Sequence, residues 1–147
     1  MQYFDASGCE NLVFDQRLLD SFAGLYFISF NVRGCKKLTS FDFSNKSVAM
    51  NNIDLRDCIN LKTVKCNGCV VDILDVRGCT ALTELECYEN FLHELDVSSC
   101  KKLSLKAWPQ STNFDKLWIG SGEYHFYDSS GAEVNPADYG TEVTVRE

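Results

Sequence analysis

Apolar and polar residues alternate in two short stretches that recur along the chain at a nearly constant distance. One is an apolar–polar–apolar triplet, seen at Ile53-Asp54-Leu55, Leu74-Asp75-Val76 and Leu95-Asp96-Val97. A cysteine follows each triplet after the same gap, at Cys58, Cys79 and Cys100, which stand 21 residues apart. A leucine then follows each cysteine, at Leu61, Leu82 and Leu103, and opens the second stretch. That stretch reads Leu61-x-x-Val64-x-Cys66 and Leu82-x-x-Leu85-x-Cys87, with Leu38-x-x-Phe41-x-Phe43 carrying phenylalanine in the cysteine slot. Leu103-Ser104-Leu105-Lys106-Ala107 fits once one residue is dropped. Period-two alternation places one set of side chains inward and the other outward, as a half-buried strand requires. A unit of about 21 residues cannot bury its own apolar face, whereas stacked units bury it as aligned columns. The pattern therefore predicts a coil of short strands in which residues one unit apart lie over each other.

The same frame extends in both directions. Phe30-Asn31-Val32 precedes Cys35, Phe4-Asp5-Ala6 precedes Cys9, and Leu117-Trp118-Ile119 forms a last triplet, so triplets start at residues 4, 30, 53, 74, 95 and 117. The first unit is longer by about five residues. Within it, Leu18, Leu19 and Phe22 follow a helical spacing, and one short helix is expected between Phe14 and Ala23. After residue 119 the frame lapses. Tyr124-His125-Phe126-Tyr127 alternates, Asp128-Ser129-Ser130-Gly131 reads as a turn, and Glu142-Val143-Thr144-Val145 alternates again. This is the pattern of a small antiparallel β cap over residues 120–147. The whole of 1–147 reads as one domain, with repeats over about 4–119.

Leu82-x-x-Leu85-x-Cys87-x-x-Asn90-x-Leu92 resembles the leucine-rich repeat signature, with cysteine in one leucine slot. The 21-residue unit with cysteine ladders is similar to bacterial cell-surface leucine-rich repeat proteins, the internalin-like ones included. The resemblance is most specific over residues 53–103; Cys69 stands where the repeat asparagine would be in one turn, and no N-terminal capping segment is present. It implies a right-handed β/α superhelix of the leucine-rich repeat class, mostly β with little helix. It places the Leu61–Cys66 and Leu82–Cys87 stretches on a concave parallel sheet and the triplets on the convex side. It also implies a cell-surface or secreted location, although no signal peptide precedes the repeats, which leaves a cytoplasmic one open.

Charge narrows the partners. Among 147 residues there are 21 acidic and 14 Lys or Arg side chains, a formal net charge of -7. Such a surface repels phosphate backbones, which argues against nucleic acid. No apolar run reaches the roughly 20 residues that span a bilayer, so membrane insertion is not expected.

The eight cysteines are the most conspicuous candidates for chemistry. Cys9, Cys35, Cys58, Cys79 and Cys100 share one unit position, and Cys66 and Cys87 share another. Strands stack at about 4.8 Å with parallel side chains, a geometry poorly matched to a disulfide, so buried free thiols are expected. Cys66-Asn67-Gly68-Cys69 is a C-x-x-C without a second pair or a nearby histidine, a weak basis for zinc or redox use. No metal or other cofactor is expected. Asp5, Asn31, Asp54, Asp75 and Asp96 form a second column, followed two residues later by Arg33, Arg56 and Arg77. A line of carboxylates beside arginines reads as a self-neutralising surface, not as a calcium groove.

His93 and His125 lack a nucleophile and acid at a recognisable spacing, and no Gly-rich phosphate loop occurs, so no enzyme activity is proposed by the residues. The expected function is a non-catalytic binding or adhesion module for a protein or glycan ligand. The alternatives are a structural spacer or stalk within a longer surface protein and, less favoured, a cysteine-based redox or zinc protein. The candidate surface is the outward face of the Leu–Cys stretches: Asp42, Lys65, Glu86 and Lys106 in one column, Glu84 beside them, and Asn67, Tyr88 and Trp108 in another. Tyr88 and Trp108 are the aromatic candidates for anchoring a ligand. Trp108, which precedes Pro109, either joins that face or tucks beneath the C-terminal segment.

Overall fold

A computed structural model describes residues 2–44 and 46–147. In chain order its first elements are β1 (Gln2–Asp5), α1 (Gln16–Ser21), β2 (Tyr26–Asn31), β3 (Ser40–Asp42), β4 (Ala49–Asp54) and β5 (Thr63–Lys65). There follow β6 (Ile73–Asp75), β7 (Glu84–Glu86), β8 (Glu94–Asp96), β9 (Lys102–Trp108), β10 (Lys116–Ile119), β11 (Glu123–Asp128) and β12 (Glu142–Val145). They wind into a parallel β-solenoid of about 6 turns at a spacing of ~22 residues. The expected helix is present as α1, its first turn capped by the Asp15 carboxylate, which accepts from the Leu18 amide at 2.8 Å.

Both sequence stretches become strands. The Leu–Cys stretches form a five-stranded sheet in the order β11-β9-β7-β5-β3. Its register sets Val64 beside Leu85 and Leu85 beside Leu105, so the one-residue gap inferred before Ala107 is real. The triplets form β1-β2-β4-β6 and, separately, β8-β10-β12. Phe30 pairs with Ile53 and Ile53 with Leu74, which aligns the triplets as their spacing requires.

The C-terminal segment departs from expectation. The anticipated antiparallel cap is replaced by two strands that add in parallel to two different sheets. β11 lies along β9, with Tyr124 beside Leu103 and Phe126 beside Leu105. β12 lies along β10, with Val143 beside Leu117. Glu142–Val145 is therefore a seventh triplet strand, and among the described residues the one antiparallel pairing is an isolated bridge from Tyr127 to Glu133. The physical reason is that alternation in sequence specifies a half-buried strand but not the direction of its neighbour.

The core changes character along the axis. In the middle turns it is Leu, Val, Ile and Cys, with Cys58, Leu61, Val64, Cys66, Leu85 and Cys87 fully buried. At the N-terminal end Phe4, Phe14, Phe22, Phe27, Phe30, Phe41 and Phe43 pack edge-on and stacked, with centroids 4.5 to 6.4 Å apart. At the other end Trp108 packs on Phe114 and Phe126 at 5.6 and 5.8 Å. Large rings thus fill the core of the first and last described turns, where the middle turns have aliphatic side chains and thiols.

Buried backbone groups are satisfied by a repeated device. The ladder thiols donate to a carbonyl one turn back: Cys35 to Ala6, Cys58 to Val32 and Cys79 to Leu55, at 3.2, 3.2 and 3.0 Å. In the last turn the cysteine slot has no thiol, and the Tyr124 hydroxyl takes over, 3.1 Å from the Val97 carbonyl and 2.6 Å from that of Cys100. That hydroxyl also accepts from the Gly120 amide at 2.9 Å. Asn90 does the same work under the opposite sheet. Its amide nitrogen donates to the Cys66 and Cys87 carbonyls, and its oxygen accepts from the Cys69 and Val71 amides. Gln110 repeats the arrangement one turn later, bonding the Cys87 and Ala107 carbonyls and the Leu92 amide.

The turns between stretches are equally regular. Asp5, Asn31, Asp54, Asp75 and Asp96 each accept from the amide two residues on, at 2.9 to 3.2 Å. This is an Asx turn, and it explains why the middle residue of the triplet is Asp or Asn. Just before the cysteine the backbone turns left-handed, at Gly8, Gly34, Asp57 and Gly78. At Gly78 φ is +82°, a conformation that side chains rarely adopt, and a Cβ there would crowd Asp57 of the preceding turn.

Candidate functional site

The outward face of the five-stranded sheet carries the residues singled out from sequence. Register places Asp42 beside Lys65, Lys65 beside Glu86, and Glu86 beside Lys106, so the column alternates acid and base across four strands. Lys65 Nζ lies 3.6 Å from Glu84 and Lys106 Nζ lies 3.4 Å from Glu86. Glu84, then Glu86, raises the Lys65 pKa and keeps the ammonium charged. These cross-strand pairs fix register and leave little unbalanced charge. Glu84, Glu86 and Lys106 share a shallow depression with Tyr127 of β11, a residue the repeat pattern did not single out. Asp42, Lys65 and Asn67 lie outside that depression.

Tyr88 is half-buried at the end of this sheet, next to Asn67, whose Oδ1 is shielded from solvent without a hydrogen-bond partner. Trp108 does not join them. Alternation breaks at the end of β9, where Ala107 and Trp108 are both buried. The indole is 1% exposed, and its Nε1 donates to the Thr141 hydroxyl at 3.1 Å. Of the two arrangements open from sequence, Trp108 takes the one beneath the C-terminal segment and offers no surface to a ligand.

The cysteines show the chemistry of a core. All eight are free; seven are buried and Cys9 is exposed. Cys9 lies in the first turn, and no described turn stacks beneath it to receive its thiol. Burial pushes the other thiols up, Cys58 and Cys69 to about 11 and Cys100 to about 12, and Cys66 well above its ordinary value. A reactive thiol needs a depressed pKa, so Cys66 and Cys69 are set against thiolate chemistry. Among the described residues no group of three or more His, Cys, Asp or Glu is arranged to hold a metal.

A second surface concavity lies elsewhere, on the triplet side. The ladder that joins each triplet to the next lapses between β6 and β8. In the preceding turn Leu55 and Asp57 donate to Asp75 and Arg77, and in the following one Val97 donates to Trp118. No matching bond runs from Val76 to Asp96. The gap is closed at its ends by Phe91 N–H to the Val71 carbonyl, 2.8 Å, and by Gly78 N–H to Ser99 Oγ, 3.0 Å. Between these ends lies a cleft of about 510 Å³ whose walls include Ile73, Asp75, His93, Asp96, Trp118 and Arg146.

The acid–arginine column runs into this cleft. Arg56 bridges Asp54 and Asp75, at 2.7 and 3.5 Å. Burial raises the Asp54 pKa, but the Arg56 side chain and amide and the Arg56 and Arg33 charges outweigh it, so the carboxyl sits below its ordinary value. Arg33 instead reaches Asp57, at 3.4 Å. At the cleft Arg77 holds Asp75 at 2.6 Å, while Asp96, which has Ser98 where the three preceding turns have arginine, takes Arg146 from beyond β12, also at 2.6 Å. The Arg146 guanidinium lies 4.5 Å from the centre of the half-buried Trp118 ring. His93 is exposed at the rim, and His125 lies apart on β11, 2.9 Å from Glu123.

No protein-family model, curated protein or solved structure matches this chain.

Proposed function

We propose that the protein is a non-catalytic binding module of the leucine-rich repeat kind, presenting its five-stranded sheet to a protein or glycan ligand, as cell-surface adhesion repeats do. The observation that carries this reading is the continuous parallel pairing of β3, β5, β7, β9 and β11, in step as far as Tyr127, which sets Glu84, Glu86, Lys106 and Tyr127 around one shallow depression. A preformed surface loses little conformational entropy on association. Asn90 bonding two turns at once supports the kinship, since the repeat signature asks for asparagine at that position. Tyr88, at the sheet's end, supplies the aromatic contact.

The reading is tested by screening the labelled protein against immobilised glycans and candidate extracellular proteins, then repeating the positive binding with variants. Tyr88→Ala and the charge reversal Glu86→Lys are each expected to weaken binding by tenfold or more. Binding unchanged by both removes the sheet as the site. A spacer role is the second reading, favoured by the mutual pairing of Lys65 with Glu84 and Lys106 with Glu86, which leaves those charges satisfied without a ligand. It predicts no binding to any probe.

A further inference from the structure

The cleft between β6 and β8 lies in a different sheet from the one above and holds different chemistry. Two features set it apart from an ordinary strand junction. No ladder joins β6 to β8 across it, although β6 is fully paired with β4 on its other edge, and one of its apolar side chains, Ile73, is 58% exposed. An inserted strand does not fit, because Cα atoms of β6 and β8 approach within 8 Å and insertion needs about twice the 4.8 Å strand spacing. A side chain entering from outside does fit.

The charges say which kind. Asp72, Asp75, Glu94 and Asp96 border the cleft, against the cations Arg77 and Arg146 and the rim histidine His93. Arg77 is committed to Asp75 within its own turn. Arg146 is different: it arrives from the end of the chain, 50 residues from Asp96, and its guanidinium is held on both sides. Asp96 pairs with it at 2.6 Å, and the Trp118 ring faces it at 4.5 Å. An aromatic face beside a carboxylate is the standard recognition pair for a planar cation. The molecule therefore shows this pocket with a guanidinium already in it.

We propose that the cleft is a binding site for an arginine-bearing peptide segment, and that Arg146 is its built-in competitor. An incoming guanidinium takes the place on Trp118 and Asp96, its neighbouring residues lie over Ile73, and Asp72 and Glu94 draw the remaining positive charge. Only the Arg146 side chain has to swing away. β12 stays in place through its four register pairs with β10 and through the Arg146 amide, which donates to the Ile119 carbonyl at 2.7 Å.

The experiment uses the whole chain, isotope-labelled, titrated with a capped Gly-Arg-Ala-Arg-Gly peptide and, in parallel, with its Gly-Glu-Ala-Glu-Gly counterpart. The expected result is a saturable shift of the Trp118 indole and of amides in β6 and β8, with the buried Trp108 indole unmoved. Arg146→Ala, which vacates the place, should tighten binding at least threefold. Asp96→Asn, which keeps an oxygen for the turn bond to Ser98 but loses the charge, should weaken it at least threefold. Trp118→Leu should weaken it fivefold or more while the remaining amide spectrum shows the fold retained. The proposal is overturned if Arg146→Ala leaves affinity unchanged or lowers it, if the acidic peptide binds as well, or if the shifts fall on the five-stranded sheet instead. Failure here leaves the sheet reading untouched, because the Tyr88 and Glu86 variants lie outside the cleft.

Discussion

A buried thiol in this molecule is a hydrogen-bond donor before it is a hydrophobe. Cys79 gives its proton to the Leu55 carbonyl at 3.0 Å, a second bond to a buried oxygen that also accepts from the Cys58 amide at 3.2 Å. Replacing Cys79 by Ala removes the donor and leaves a small void, and we expect a loss of about 1–3 kcal/mol in denaturant unfolding. Tyr124→Phe should cost a similar amount, because one hydroxyl there serves two carbonyls and an amide. If Tyr124→Phe were neutral, the equivalence of hydroxyl and ladder thiol would fail. The 21-residue spacing makes the burial of these cysteines legible in the sequence, because period fixes which side chains share a column. It does not reveal the donor role, since alternation says nothing about which backbone oxygen lies overhead. The same holds for Gln110. It stands three residues after Ala107, as Asn90 stands three after Cys87, yet only the one-residue shift in β9 makes the match visible.

At the scale of elements, strand positions follow the pattern closely and strand partners follow it less well. Every triplet named from residues 4 to 119 is a strand or lies at the end of one. The C-terminal strands were legible as strands, but their parallel pairing depends on where the chain re-enters the stack, which local alternation does not encode. Trp108 was undecidable for a related reason. The two consecutive buried residues at the end of β9 break the alternation on which the outward assignment rests. The interrupted ladder between β6 and β8 carries no sequence signature at all, since Leu74-Asp75-Val76 and Leu95-Asp96-Val97 are near-identical triplets. Amide hydrogen exchange should expose it. We expect Val76 to exchange at least tenfold faster than Leu55, its equivalent one turn earlier, which donates to Asp75 at 2.9 Å. Equal protection would show that the ladder is closed in solution.

For the whole molecule, the thiols act together on stability. A thiol in an unfolded chain titrates near 8.5, whereas Cys58, Cys69 and Cys100 in the folded chain titrate at about 11, 11 and 12. Below pH 8 both states keep these protons and the thiols add no slope. Above that the unfolded state sheds protons that the folded state retains, so stability falls as pH rises, by up to about 1.4 kcal/mol per pH unit for each thiol. Under reducing conditions the melting temperature should therefore hold steady from about pH 6 to 8 and drop steeply above about pH 9. A flat profile to pH 10 would mean the thiols are solvent-accessible. The aromatic ends bear on a different property, size. Phenylalanines close one end and Trp108 with its neighbours the other, while the turns between them repeat the same aliphatic and cysteine columns. Nothing in that middle section counts the turns. Excising residues 61–81 joins Asn60 to Leu82 in frame, and such a shortened rod should still fold, with both of its stoppers in place. Rods of other lengths are then open to evolution by duplication or loss of a single unit.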